Sequence, residues 1–233
     1  MQQQTSGHTL KAFDQDIDRL RALISQMGGL AEHAIGEAMR CLIQRDTEGA
    51  LLVVENDRQL DALEIETERR AVQLIALRAP MAGDLRDVVA ALKISGVVER
   101  IGDYAKNIAK RVPLIETANK IEPMSLLPEM ARMATSMVHD VLDAFVQRDA
   151  DVALQVCERD DAVDDFYDSI FRTLLTHMME NPHNIGHATH LLFVAKHLER
   201  IGDHSTNIAE MVYFAATGEH MADRNRRADD GGG

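Results

Sequence analysis

An all-α fold is predicted for this chain, from three observations. Aromatics make up 4 % of the 233 residues and Trp is absent, while Ala, Leu, Met, Glu and Arg are abundant; these are good helix formers. Apolar residues recur at the helical period, as in Leu20, Leu23, Ile24 and Met27, or Leu60, Leu63, Val72 and Leu74 with charges between, so each segment shows one apolar face. No run of alternating β-branched residues reads as a strand.

Loop signals cut the chain into six helices. The first spans 9–45 and ends at the polar stretch Arg45–Gly49; its Gly28-Gly29 pair is a point at which it can kink or split. The second spans 50–78 and stops before Pro80 and Gly83. The third spans 84–112, with Asp84 as its N-cap. Pro113, Pro123 and Pro128 mark the following break. The fourth, 126–147, and the fifth, 150–180, are parted by Arg148–Asp151. The sixth spans 185–217, with Asn184 as its N-cap. From Gly218 the tail, ending Asp229-Asp230-Gly231-Gly232-Gly233, reads as disordered.

Composition narrows the function. Lys plus Arg number 25 against 38 Asp plus Glu, a net charge of −13. That balance argues against nucleic acid or an anionic membrane surface as the main partner and leaves cations and basic protein surfaces. The apolar fraction of 45 % excludes a disordered chain. Cys41 and Cys157 form neither a CxxC pair nor a zinc spacing, which suits free buried thiols in a reducing compartment. The start, Met1-Gln2-Gln3-Gln4-Thr5-Ser6-Gly7-His8, lacks the basic and apolar regions of a secretory signal. No stretch approaches the ~20 apolar residues that span a bilayer. The expectation is a cytoplasmic protein without membrane insertion, peripheral association being left open.

The chain repeats itself. Glu99-Arg100-Ile101-Gly102-Asp103 with Asn107-Ile108-Ala109 recurs 100 residues later as Glu199-Arg200-Ile201-Gly202-Asp203 with Asn207-Ile208-Ala209. Earlier in each half, Gln44-Arg45-Asp46 matches Gln147-Arg148-Asp149, and Glu55, Asp57 and Asp61 match Glu158, Asp160 and Asp164, at an offset of 103. The loop between the second and third helices absorbs the difference. Four matches in one order indicate a duplication of a three-helix unit. The organisation expected is a first repeat over 8–112, a linker over 113–125, a second repeat over 126–217 and a disordered tail over 218–233.

Residues four apart share a helix face. Glu99, Asp103 and Asn107 therefore form a strip of oxygen donors, as do Glu199, Asp203 and Asn207. Each strip continues toward the N-terminus along an apolar face, past Ser95, Leu92 and Val88 or Ala195, Leu192 and Ala188, so the acids should be semi-buried. Asp57 with Asp61, and Asp160 with Asp164, supply a second pair in each half. Like charges at this spacing cost a few tenths of a kcal/mol on a helix, and burial costs unpaired carboxylates far more. A cation between the helices would resolve both. An all-oxygen donor set suits Mg, Ca, Mn or Fe better than Zn or Cu. Gly102 and Gly202 point to a close approach, since a helix-interior Gly costs ~1 kcal/mol against Ala. The plainer alternative is a set of salt-bridged or solvated acids, with Arg100, Lys106 and Arg200 as neighbours.

Other features carry less. His183, His187 and His190 have metal-compatible spacing, but they sit at a helix start, lack first-half counterparts and suit capping or surface roles. Asp161, Asp165 and Asp168 read as a solvated face. There is no phosphate loop, G-x-S-x-G elbow or Cys/His nucleophile pair. Two rivals stand beside a regulator: a carboxylate-bridged metal hydrolase or oxidase, and a helical adaptor whose acids bind no metal.

The doubled E-R-I-G-D-x-x-x-N-I-A, with Met27-Gly28-Gly29, Pro80…Asp84-Leu85-Arg86 and His139-Asp140-Val141-Leu142-Asp143-Ala144-Phe145, resembles the PhoU family over residues 10–217. These are phosphate-specific transport system accessory, or regulatory, proteins. The resemblance implies two tandem three-helix bundles (six long helices) related by a pseudo-twofold, often in a homodimer. It also implies multinuclear metal clusters, of Fe, Mn, Zn or Mg, on paired-acid motifs. Those map onto Asp57, Asp61, Glu99 and Asp103 in the first half and Asp160, Asp164, Glu199 and Asp203 in the second, with Asn107 and Asn207 as ligands or orienting groups. The implied role is non-enzymatic: a cytoplasmic regulator that restrains phosphate uptake and phosphate-starvation signalling. The implied partners are the membrane-bound sensor histidine kinase of the phosphate regulon and the ATPase subunit of the high-affinity phosphate transporter.

Overall fold

In the computed structural model, which describes residues 3–115 and 122–221, the long elements are all helices. They run as α1 (Gln3–Gln44), α2 (Thr47–Asn56), α3 (Arg58–Arg78), α4 (Ala82–Ala109), the short α5 (Val112–Ile115), α6 (Leu127–Gln147), α7 (Ala150–Glu158), α8 (Asp160–Glu180) and α9 (Ile185–Thr217). The predicted second and fifth helices are each two helices in tandem, α2–α3 and α7–α8, so six rods are present. Of the expected linker, Val112–Ile115 and Glu122–Ser125 are short helical turns and 116–121 lie outside the described residues. The tail read as disordered also lies outside them from 222 on; Gly218, at φ 80°, caps α9.

The repeat is visible in the chain reversals. Arg45 and Arg148 both adopt the left-handed conformation, at φ 59° and 57°. The next amide in each case, Asp46 or Asp149, donates back to the carbonyl of Cys41 or Ala144 at 2.9 Å, a six-to-one closure of the helix end. Each aspartate then caps the next helix: Asp46 accepts from Gly49 N, and Asp149 from Asp151 N and Val152 N. The repeated triplet Gln-Arg-Asp is thus a stop signal and a start signal in succession.

α1 buries one stripe, Ile17, Leu20, Ile24, Met27, Ala31, Ile35, Ala38 and Leu42, against α3, α4 and α6. It passes Gly28-Gly29 without splitting, because Gly28 is where α6 packs: a Cβ there would collide with Leu142 Cδ1. α6, α7 and α8 surround α9 as α1, α2 and α3 surround α4, and the bundles join where α1 meets α6 and α4 meets α9. One apolar core runs through both halves. Buried Asp87 of α4 ties the junction, pairing with Arg21 of α1 at 3.0 Å and Arg148 of the second half at 3.3 Å.

Three details depart from the sequence reading. α4 begins at Ala82, with Met81 at the cap position, so Asp84 lies in the first turn. Asn184 precedes α9 but makes no capping bond; Asn181 instead caps the short 3-10 turn Pro182–Asn184 that leads into α9, accepting from His183 N at 3.1 Å. Val72, counted in the apolar stripe, is exposed. Among the described residues no helix is long and apolar enough to cross a membrane. Cys41 is buried and Cys157 half-buried, both free.

Candidate metal centre

Each half sets its four candidate acids where two helices meet, and among the described residues only Asp164, Glu199 and Asp203 of the second half converge to ligand distance. α4 presents Glu99 and Asp103 one turn apart, and α9 presents Glu199 and Asp203. The facing acids lie at helix starts: Asp57 is the residue between α2 and α3, and Asp160 opens α8. The positive end of a helix dipole favours a carboxylate in this position. Gly102 and Gly202 permit the approach. A Cβ on Gly102 would strike Leu60 and lie 3.5 Å from Asp57 Oδ1; on Gly202 it would lie 3.1 Å from Asp160 Oδ1.

In the second half, one oxygen each of Asp164, Glu199 and Asp203 lie within 4.8 Å of one another. Asp164 is exposed, whereas Asp160, Glu199 and Asp203 are half-buried. Burial first, then the carboxylates of Asp164, Asp203, Asp161 and Glu199, push Asp160 up to about 6. Asp164 is raised by burial and Glu199, with Lys196 opposing. Lys196 Nζ pairs with Glu199 Oε1 along the helix. Asp160 Oδ1 and Glu199 Oε2 are buried with no hydrogen-bond partner. Buried acceptors left unmade in this way are costly.

The first half is arranged differently. Lys106 Nζ bridges Asp57 Oδ2 and Asp103 Oδ1, joining α4 to the start of α3. Burial opposes the ammonium, but the bonds to Asp103 and Asp57 outweigh it and raise its pKa. Glu99 is pushed up to about 7 by burial, then by Asp103, Glu64, Asp61 and Asp57. Glu64 is itself raised by burial, Glu68 and Asp61. Sequence reasoning missed Glu64, although it lies one turn beyond Asp61 on the same face. Asn107 is half-buried and Asn207 exposed.

The residues fit a bound cation. The donor set is all oxygen, the glycines bring two helices to it, and the second half holds two orphaned carboxylate oxygens. The histidine triplet does not converge: Asp164, Glu199 and Asp203 form the one such group of three among the described residues. His190 instead faces Arg111 of the first half at 3.1 Å. Asp161, Asp165 and Asp168 are exposed, as expected of a solvated face.

A duplicated helical bundle, with paired acids set at the meeting of two helices in each half, defines a class of protein. Residues 24–112 and 127–212 match the PhoU domain model. The chain belongs to the PhoU family. It is 56 % identical over 223 residues to the phosphate-specific transport system accessory protein PhoU homolog of Zymomonas mobilis, covering 96 % of this chain and 94 % of that one. Its fold is similar to the crystal structure of PhoU from Pseudomonas aeruginosa, with TM-score 0.85 at 35 % identity, covering 89 % of this chain and all of that one. It is also similar to the phosphate transport system regulatory protein PhoU from Streptococcus pneumoniae, with TM-score 0.84 at 28 % identity, covering 90 % of this chain and 99 % of that one.

Proposed function

We propose that this chain is a metal-binding cytoplasmic regulator of phosphate homeostasis that acts by docking and not by catalysis. The names of its relatives supply the process, phosphate transport. The observation that carries the metal reading is the second-half cluster, where the buried oxygens of Asp160 and Glu199 have no partner. Asp57, Asp61, Glu99 and Asp103 would hold ions in one half, and Asp160, Asp164, Glu199 and Asp203 in the other, with Asn107 and Asn207 as further ligands or orienting groups. Fe, Mn, Zn and Mg are the candidate ions. A bound divalent or trivalent ion supplies the charge that lets these acids stay ionised beside an apolar core. The filled bundles would then present a fixed surface to the sensor histidine kinase of the phosphate regulon and to the transporter ATPase. Binding one state of a partner in preference to the other biases its equilibrium. A homodimer would present that surface twice.

Deletion in the source organism tests the regulatory role. Phosphate-regulon expression and uptake should rise in phosphate-rich medium; unchanged levels of both would assign the chain another task. Elemental analysis of protein purified without chelator tests the metal role. Asp103→Ala combined with Asp203→Ala should lower the metal content while helicity stays intact. Metal content unaffected by that pair would mean the ligands are elsewhere.

A further inference from the structure

We propose that Lys106 is a built-in counter-ion that makes the two clusters unequal. The second-half cluster takes metal first, and the first-half cluster takes it only once Lys106 is displaced. This rests on the metal reading above and adds an order of filling to it.

The argument starts from what the duplication did not copy. Lys106 corresponds to Thr206 in the second repeat. Thr206 turns its hydroxyl back to the Asp203 carbonyl at 2.7 Å and offers no charge to the acids. Lys106 reaches across from α4 to Asp57, whose side chain is 7 % exposed, and also holds Asp103. Its ammonium therefore sits between the helices, where an ion bridging α3 and α4 would sit. The second half has a lysine of its own, Lys196, in the place of Gly96. That side chain is 38 % exposed, lies 5.2 Å from the Tyr167 ring, and pairs with Glu199 of its own helix. It stands at the rim, meets α8 only through the Tyr167 ring and not through its acids, and leaves Asp160 Oδ1 and Glu199 Oε2 open.

The Gly96 position has a second consequence. Glu64 Oε1 would lie 3.2 Å from a Cβ at Gly96, so the absent side chain leaves room for an extra acid; the second repeat has Tyr167 in place of Glu64. The first cluster thus offers Asp57, Asp61, Glu64, Glu99 and Asp103, more carboxylates than the second. A metal ion entering it must break two charge-assisted hydrogen bonds to the ammonium and outcompete its charge. That opening lowers the apparent affinity by the fraction of molecules already open. The first cluster has the larger capacity and fills later, so the protein responds to metal in two stages.

The experiment is a titration of chelator-stripped full-length chain with Mn(II), with free ion read by electron paramagnetic resonance. Wild type should show two classes of site at least about tenfold apart in affinity. Asp164→Asn with Asp203→Asn should remove the tight class and spare the weak one. Lys106→Thr should move the weak class at least about tenfold tighter. In the stripped protein the same change should lower the melting temperature, with Mn(II) restoring it. Should the threonine variant not fold, Lys106→Gln, which keeps a donor beside Asp57, is expected to shift the weak class in the same direction. A single class in wild type, or a weak class unmoved by both Lys106 variants, would overturn the inference while leaving the metal reading intact. Absence of any Mn(II) binding to wild type would overturn both.

Discussion

At the scale of the residue, adjacent glycines in one helix do opposite things. Gly28 faces α6, and a methyl there would run into the buried Leu142 side chain, whereas a Cβ on Gly29 or Gly36 meets nothing within 4 Å. Exchanging Gly for Ala in a helix interior gains ~1 kcal/mol, while overfilling a packed contact costs ~1–3 kcal/mol. Gly29→Ala should therefore stabilise the chain by up to ~1 kcal/mol and Gly28→Ala should destabilise it. Urea denaturation of the two variants checks the signs; equal gains would mean that α1 and α6 are not in close contact. The same scale shows which site residues were legible. Glu99, Asp103, Glu199 and Asp203 stand out because spacing and repetition coincide. Glu64 and the bridging role of Lys106 do not, because their counterparts are Tyr167 and Thr206. A search for what two halves share passes over what only one half holds.

At the scale of the element, the rods and their caps follow from apolar periodicity and the Gln-Arg-Asp signal, but the breaks at Asp57 and Arg159 do not. Asp57 has φ −54° and ψ −32°, ordinary helical values, so no Gly, Pro or composition shift announces the interruption. The interruption follows from tertiary packing, as Asp57 turns its side chain toward α4. Elements also meet through polar contacts that only the fold reveals. His139 Nδ1 of α6 lies 3.2 Å from Glu32 Oε1 of α1, and that hydrogen bond and the Glu32 charge raise the imidazole above its ordinary 6.5. A histidine raised in this way adds stability that is fully present below 6.5 and is lost as pH rises through the folded value. Exposed pairs contribute only ~0–1 kcal/mol, so the useful readout is the titration itself. By NMR, His139 should titrate above 6.5 in the folded chain and fall back toward it in Glu32→Gln. An identical titration in both proteins would mean the pair does not form in solution.

At the scale of the molecule, duplication of sequence did not produce two separable units. α4 and α9 each bury a broad stripe, Val88, Ala91, Ile94, Val98, Ile101, Ala105 and Ile108 in one, and Ala188, Leu191, Val194, Leu198, Ile201, Ile208 and Val212 in the other, and part of each covers its partner. At their crossing Tyr104 stacks on His197 at 5.7 Å and meets His204 edge-on at 5.2 Å. Burial lowers the pKa of both histidines. Arg111 of the first half lies over Phe193 of the second at 4.1 Å. A chain cut after 115 would leave each fragment with its half of this junction in water, an apolar face larger than a stable monomer tolerates. The full chain should therefore unfold in urea as one transition, with far-UV circular dichroism and the fluorescence of Tyr104, at the junction, changing together. A Tyr104-only variant, with Tyr167→Phe and Tyr213→Phe, isolates that signal. Fragments 1–115 and 116–233 should each aggregate or lack a cooperative transition alone, and mixing them should restore it. Two soluble monomeric fragments with sharp transitions of their own would show that the shared core is dispensable. The clusters could then fill and respond as independent modules. In an intact shared core, filling one proposed cluster would stiffen the scaffold that holds the other, so the two proposed stages of metal response would belong to one molecule.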